Sequence, residues 1–302
     1  MTEKNPFQNK WQGAGRQSAP SVFEKKSCRM LCLDLDGTLL TDEKTISKNN
    51  RRAVRAAYDR GLSIVLATGR QYRKAKEFAG MLDVPVTVIG NNGTSIRNPA
   101  DDRRLHLNVM PDGLLREILT LSDGFGIAPI VHVDRYEEGT DIVIPHSLSG
   151  EIKERYGLME SPWVHSTGRW TPEITRNAVS AVFFGSKKEL HAWRDRLTGE
   201  LKHPYVLHMM ENLQKFEAML EILGETGTKW HGIRLQAEGE GICPEEIMAI
   251  GDDSNDLQML AQAGYSYAPK NATAAVKRAA GRVLSLTNNE DAVAEAIYEV
   301  IA

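Results

Sequence analysis

Four short stretches carry the side chains that could do chemistry. The first is Asp34-Leu35-Asp36-Gly37-Thr38, two carboxylates at the end of the apolar run 30–35. In an open α/β sheet, ligands gather beyond the carboxyl ends of the strands. Both acids therefore leave the sheet where a site would form, and Gly37 permits the sharp turn that follows. The second stretch, Thr68-Gly69-Arg70, ends another apolar run and offers a hydroxyl and backbone N–H groups at a helix start. That is a favourable place for phosphate. The third is Lys229, which opens a later helix and supplies a fixed cation. The fourth, Gly251-Asp252-Asp253-Ser254-Asn255-Asp256, is a second carboxylate cluster after a strand. Taken singly, these read as strand-end turns, a helix cap or a solvated charge. Their shared order and position make coincidence a poor account.

The elements that must position them follow from hydrophobic patterning. Runs 30–35, 62–67 and 86–89 are nearly wholly apolar, as strands buried on both faces should be. Helices are predicted at 47–60, stopped by Gly61, and at 70–82. The same alternation returns late: helix 228–237, strand 247–250, helix 256–263, strand 265–268, helix 273–280, strand 283–286 and helix 290–301. Such grammar implies a parallel sheet with right-handed crossovers. From 97 to 224 the rhythm changes. Short strands at 130–133, 142–144, 179–184, 205–209 and 218–222 mix with helices at 114–121 and 187–197. The expectation is an α/β, Rossmann-like core built from 28–96 and 225–302, with an α+β domain inserted at 97–224. Residues 1–27 lack periodicity and are expected to form a mobile tail, with Phe7 and Trp11 docking somewhere.

Composition narrows the partners. The chain has 302 residues and a net charge of −3 with both signs mixed. No long-range field should then recruit nucleic acid or an anionic membrane. No apolar stretch approaches the about 20 residues that span a bilayer, and the N-terminal segment has no signal-like apolar core. Cys28, Cys32 and Cys243 form neither a disulfide framework nor a zinc motif, which fits a reducing cytoplasm. The eight histidines show no metal-ligand spacing and are assigned no role. No dimerisation signal is visible, so the oligomeric state is left open, with a monomer compatible.

The motifs DLDGTLL, ATGR, the late lysine and GDDSND together resemble the haloacid-dehalogenase (HAD) superfamily, over nearly all of 28–302. Asn92-Gly93 after the third strand, the large insertion, and Asn271-Ala272 with Val276-Lys277 resemble the Cof-type (subclass IIB) phosphatases. Two departures stand out. Trp230 replaces the usual glycine after the lysine, where it would narrow the pocket or shift Lys229. The usual acidic-Gly-Val step reads Asp291-Ala292-Val293.

The resemblance implies an Mg2+-dependent hydrolase of small phosphorylated metabolites, such as a sugar phosphate or the ribitylamino-uracil phosphate of flavin synthesis. It implies that Asp34 attacks phosphorus and becomes an aspartyl phosphate, while Asp36 acts as general acid and then base. Thr68, Gly69, Lys229 and Asn255 would hold the phosphate. The metal would be bound by Asp34, the main-chain carbonyl of Asp36, and Asp252, with Asp256 orienting from behind. A phosphomutase or phosphotransferase of the same fold, or a non-enzymatic sensor of a phosphometabolite, are the competing readings. The insertion enters and leaves on the catalytic side, so it is expected to act as a cap. Its specificity contacts are expected around 134–136 and 163–170.

Overall fold

The computed structural model describes residues 27–301. The predicted tail, with Phe7 and Trp11, lies outside the described residues but for Ser27. Strand β1 (Met30–Leu33) is flanked by β2 (Ser63–Ala67) and β12 (Ile247–Ile250), all parallel. β3 (Thr87–Gly90) extends the sheet beyond β2; β13 (Tyr265–Ala268) and the two-residue β14 (Arg282–Val283) extend it beyond β12. Alternate residues of these strands enter two different clusters, as a pleat requires. Leu31, Leu33, Ile64 and Leu66 pack under α1 (Lys48–Asp59), α2 (Tyr72–Ala79) and α9 (Ala292–Ile301). Met30, Cys32, Val65 and Ala67 pack under α6 (Lys229–Gly239), α7 (Leu257–Gln262) and α8 (Ala274–Ala279). With helices on both faces, the strands had to be apolar throughout, and that is why they were legible.

The boundary expected at residue 97 falls too early. β4 (Ser95–Arg97) and β5 (Arg104–Leu107) pair antiparallel onto β3 and complete an eight-stranded sheet. β5 is only four residues long, with two leucines and side chains exposed or half-buried, so it carries no buried-strand signature. Chain from the inserted module first reaches that module's own core at Met110.

The module is a six-stranded sheet in the order β10, β11, β9, β6, β7, β8. These strands are β6 (Ile130–Arg135), β7 (Thr140–Pro145), β8 (Val164–Thr167), β9 (Ala178–Gly185), β10 (Tyr205–Glu211) and β11 (Ala218–Gly224). One face packs against α3 (Asp112–Phe125) and α5 (Lys187–Glu200) through Val131, Phe183, Leu220 and Ile222. The other face joins apolar residues such as Ile130, Val182 and Phe184 to polar ones that meet the core. β8 and the short helix α4 (Gly150–Tyr156) carry mostly polar or exposed residues and were not foreseen. Among the described residues, no helix is long and apolar enough to cross a membrane.

Candidate active site

The first carboxylates sit where β1 ends. The Asp34 amide donates to the Ile250 carbonyl of β12 (3.0 Å), which fixes its backbone against the neighbouring strand. Gly37 then turns with φ +76°, and a Cβ there would collide with the Asp252 carboxylate. The absence of a side chain at Gly37 is what lets the two acidic loops approach each other. Thr38 donates its hydroxyl to Asp252 (3.0 Å) across the gap.

Lys229 reaches this point because Thr228 caps α6, accepting from the His231 amide, and starts the helix beside the sheet. Gly93, with φ +98°, packs directly on the Thr228 carbonyl, where any Cβ would clash. The ammonium of Lys229 is buried and donates to Asp34 (2.6 Å) and Asp256 (2.7 Å). The second oxygen of Asp256 accepts from the amides of Asp252 and Asp253 (3.0 and 3.1 Å). Asp256 thus holds both the lysine and the turn that carries Asp252. Trp230 packs against the cluster beneath α6, and Lys229 makes both contacts with it in place.

Charge is out of balance here. One ammonium faces three carboxylates whose oxygens lie within 4.8 Å of one another: Asp34, Asp252 and Asp256. Burial pushes the Asp34 carboxyl well up, Lys229 opposes this, and Asp256 and Asp252 add to it. Burial, then Asp256, push Asp252 up to about 7, although Thr38 works the other way. Burial opposes the charge on Lys229, but Asp256 and Asp34 more than restore it. Hard oxygen donors, partly buried and short of positive charge, are the donor set a divalent cation such as Mg2+ prefers. The residues fit the ion.

Asp36 is placed differently. Arg70 grips its carboxylate through Nε (2.5 Å) and a terminal nitrogen (2.7 Å), and Lys44 adds a third contact (2.7 Å). Burial raises its pKa, but the hydrogen bonds from Arg70 and Lys44 outweigh this and bring it to about 2. Held there, its carboxylate is not one of the three clustered acids. Neither Arg70 nor Lys44 was singled out for this contact from sequence.

The Thr68 loop lies beside Asn92. Thr68 is buried and its hydroxyl accepts from the Arg70 amide (3.1 Å), so the helix itself starts only at Tyr72. Gly69 abuts the Asn92 amide. Asn255 donates to Asn92 (3.0 Å), and Asn92 donates to Glu221 of β11 (2.8 Å). That last bond ties the core to the inserted module. His208 of β10 stands directly opposite Glu221 and feels the charges of Lys229, Asp253 and Asp256. Glu221 was detectable as the one charge inside the apolar alternation of β11; His208 had no sequence signal.

The segments expected to read the substrate do something else. Asp134 is buried in ion pairs with Arg97 and accepts from Ser95. Tyr136 packs edge-on against Tyr72 of α2, and Arg73 lies over the Tyr136 and Trp163 rings (4.2 and 3.8 Å) while pairing with Asp141 (2.5 Å). These contacts fasten the module to the core. Trp170 joins the helix-side cluster and lines a cavity of about 810 Å³ there, on the face turned from the carboxylates.

With this geometry in view, the comparisons with known proteins are specific. The family model described as haloacid dehalogenase-like hydrolase matches residues 31–297. The chain is 26% identical over 272 residues to the 5-amino-6-(5-phospho-D-ribitylamino)uracil phosphatase YitU of Bacillus subtilis, covering 89% of this chain and 96% of that one. It is 25% identical to the pyridoxal phosphate phosphatase YbhA of Escherichia coli, over 89% of this chain and 97% of that one. A solved haloacid dehalogenase-like hydrolase from Bacteroides thetaiotaomicron superposes with a TM-score of 0.73 at 26% identity, covering 91% of this chain and all of the other. The parallel core, the inserted sheet and the match along most of the sequence agree: the chain belongs to the haloacid dehalogenase-like hydrolases, of the Cof type its motifs resemble.

Proposed function

We propose that this protein hydrolyses small phosphorylated metabolites with Mg2+, through a phosphorylated Asp34. The enzyme is a phosphoric monoester hydrolase. The observation that carries the reading is Lys229 bridging Asp34 and Asp256 inside a group of three carboxylates. Relatives named as phosphatases for a ribitylamino-uracil phosphate and for pyridoxal phosphate support the substrate class.

Phosphoryl transfer passes through a loose transition state, so positioning and charge neutralisation dominate catalysis. Mg2+, held by Asp34, the Asp36 carbonyl and Asp252, would supply the positive charge that lets a carboxylate approach a phosphate. Lys229 fixes the orientation of Asp34 and leaves its second oxygen for attack on phosphorus. Asp256 holds Lys229 and the Asp252 turn in place. Thr68, Gly69 and Asn255 take the non-bridging oxygens. Asp36, ionised while Arg70 and Lys44 hold it, must leave them and take up a proton from solvent before it protonates the departing oxygen, and it later takes a proton from the attacking water. Arg70 is therefore a holder of the acid in its resting position.

The test is turnover of a nitrophenyl phosphate by the native protein and by Asp34→Asn, each with Mg2+ and with chelator. The native protein with Mg2+ should turn over steadily. Chelator or Asp34→Asn should each remove at least about 99% of the rate, a barrier increase of roughly 3 kcal/mol or more. Turnover by Asp34→Asn at the native rate would exclude Asp34 as nucleophile.

A further inference from the structure

Asn92 belongs to the Asn92-Gly93 step that the sequence singles out and that the proposed reaction leaves without a role. Its backbone takes φ +53°, a left-handed conformation that asparagine tolerates better than most side chains. Its main-chain N–H donates to the Thr68 carbonyl (3.0 Å), and its buried side chain lies against Gly69. The same side chain accepts from Asn255 (3.0 Å). Asn92 therefore joins the two loops assigned to the phosphate.

The direction of these bonds is set from the inserted module. Glu221 accepts from the Asn92 side chain (2.8 Å). An ionised carboxylate can only accept, so the Asn92 nitrogen must face Glu221 and its oxygen must face Asn255. That oxygen in turn demands the Asn255 nitrogen, which carries two N–H groups. Asn92 uses one, and the second remains for a phosphate oxygen. Turned over, the Asn255 amide would present its own oxygen there instead.

Glu221 is itself held from behind. Ser180 donates to it, so the Ser180 hydroxyl must accept from Nδ1 of His132 (3.2 Å). Burial pushes His132 down to about 4, so the ring is neutral with its single N–H at Nδ1. Its Nε2 then accepts from the Tyr156 hydroxyl (3.2 Å). Donors from the module and from the core thus end on one carboxylate, and a satisfied buried network of this kind holds a single arrangement. We propose that Asn92 is a positioning residue, through which Glu221 of the inserted module orients the phosphate-binding amide of Asn255. This rests on the phosphatase reading above. Phosphate affinity and seating of the module are then linked. The phosphate loops are complete only while the module is seated, and bound phosphate favours seating by the same factor.

The experiment is a double-mutant cycle between Glu221 and Asn255, which bond to opposite ends of the Asn92 amide. It reads kcat/KM for a nitrophenyl phosphate and the inhibition constant of inorganic phosphate, with Mg2+ at pH 8, above the value of about 7 to which burial pushes Glu221. Glu221→Leu and Asn255→Ala should each lower kcat/KM and weaken phosphate inhibition by at least about tenfold. In the Asn255→Ala background, Glu221→Leu should cost less than about twofold more, whereas a merely structural loss would multiply. Glu221→Gln, whose carbonyl still accepts from Asn92, should recover at least about fivefold of what Glu221→Leu loses. Asn92→Gly keeps the left-handed backbone, should behave as Glu221→Leu does, and decides where that variant fails to fold. Losses that multiply, or native phosphate affinity in folded Glu221→Leu or Asn92→Gly, overturn the positioning role alone. A native protein that hydrolyses no nitrophenyl phosphate overturns the phosphatase reading, and the positioning role with it.

Discussion

Lys229 is the side chain on which the candidate site's electrostatics turn. It is the only cation bonded to Asp34 and Asp256 among the described residues, and both bonds are buried. Removing one partner of a buried ion pair strands the other and typically costs 3–5 kcal/mol. Lys229→Met should therefore lose about 3–5 kcal/mol of stability without metal, together with activity. Mg2+ should return part of that loss, because an ion that binds only the folded state stabilises it by mass action. Thermal melts with and without Mg2+ check this; a melting temperature unaffected by the substitution would mean that the three acids are already neutral. The acids and Lys229 were legible in the sequence because each follows an apolar strand or opens a helix next to one. The grip of Arg70 and Lys44 on Asp36 was not legible, since it depends on loop path and rotamer.

At the scale of elements, β11 places a titratable group where the apolar pattern leaves no room for one. Burial pushes Glu221 from the ordinary 4.5 up to about 7, although Ser180 and Asn92 pull the other way. The folded state then holds the Glu221 proton more tightly than the unfolded chain does. The associated stability is fully present below about pH 4.5, declines as the pH rises, and is gone above about pH 7. One pKa unit corresponds to 1.36 kcal/mol, so the native protein should lose about 3 kcal/mol relative to Glu221→Gln across that window. Denaturant titrations of both proteins at several pH values give the difference directly. A difference independent of pH would show that Glu221 stays charged in the fold. The core strands were readable because helices cover both of their faces. β4, β5, β8 and α4 were not, since they are short, polar or exposed, and neighbouring strands rather than their own sequence decide their structure.

The whole molecule joins two sheets by unequal attachments. Both linkers meet near Asn108 and Thr226, whose side chains are bonded (2.5 Å), and the β6–β7 hairpin is clamped to α2 and β4. In that clamp Arg97, fully buried, pairs with Asp134 and Glu137, and Arg73 pairs with Asp141 between two aromatic rings. Across the site itself, Asn92 to Glu221 is a single hydrogen bond, worth about 0.5–1.5 kcal/mol if neutral and up to about 3 if charged. Asp34 is only 4% exposed, so a substrate must displace something to reach it. The weaker attachment should give way first, which makes the clamp and linkers a hinge and the face carrying Glu221 and His208 a lid. Labels at Glu211 and Ser254 should thus report two distances that converge when a phosphate analogue and Mg2+ bind. Labels at Lys74 and Glu138, beside the clamp, should keep one distance throughout. Double electron resonance or single-pair fluorescence transfer measures both. Motion at the second pair with stillness at the first would reverse the hinge, and would leave the buried Arg97 ion pairs as the contact that opens.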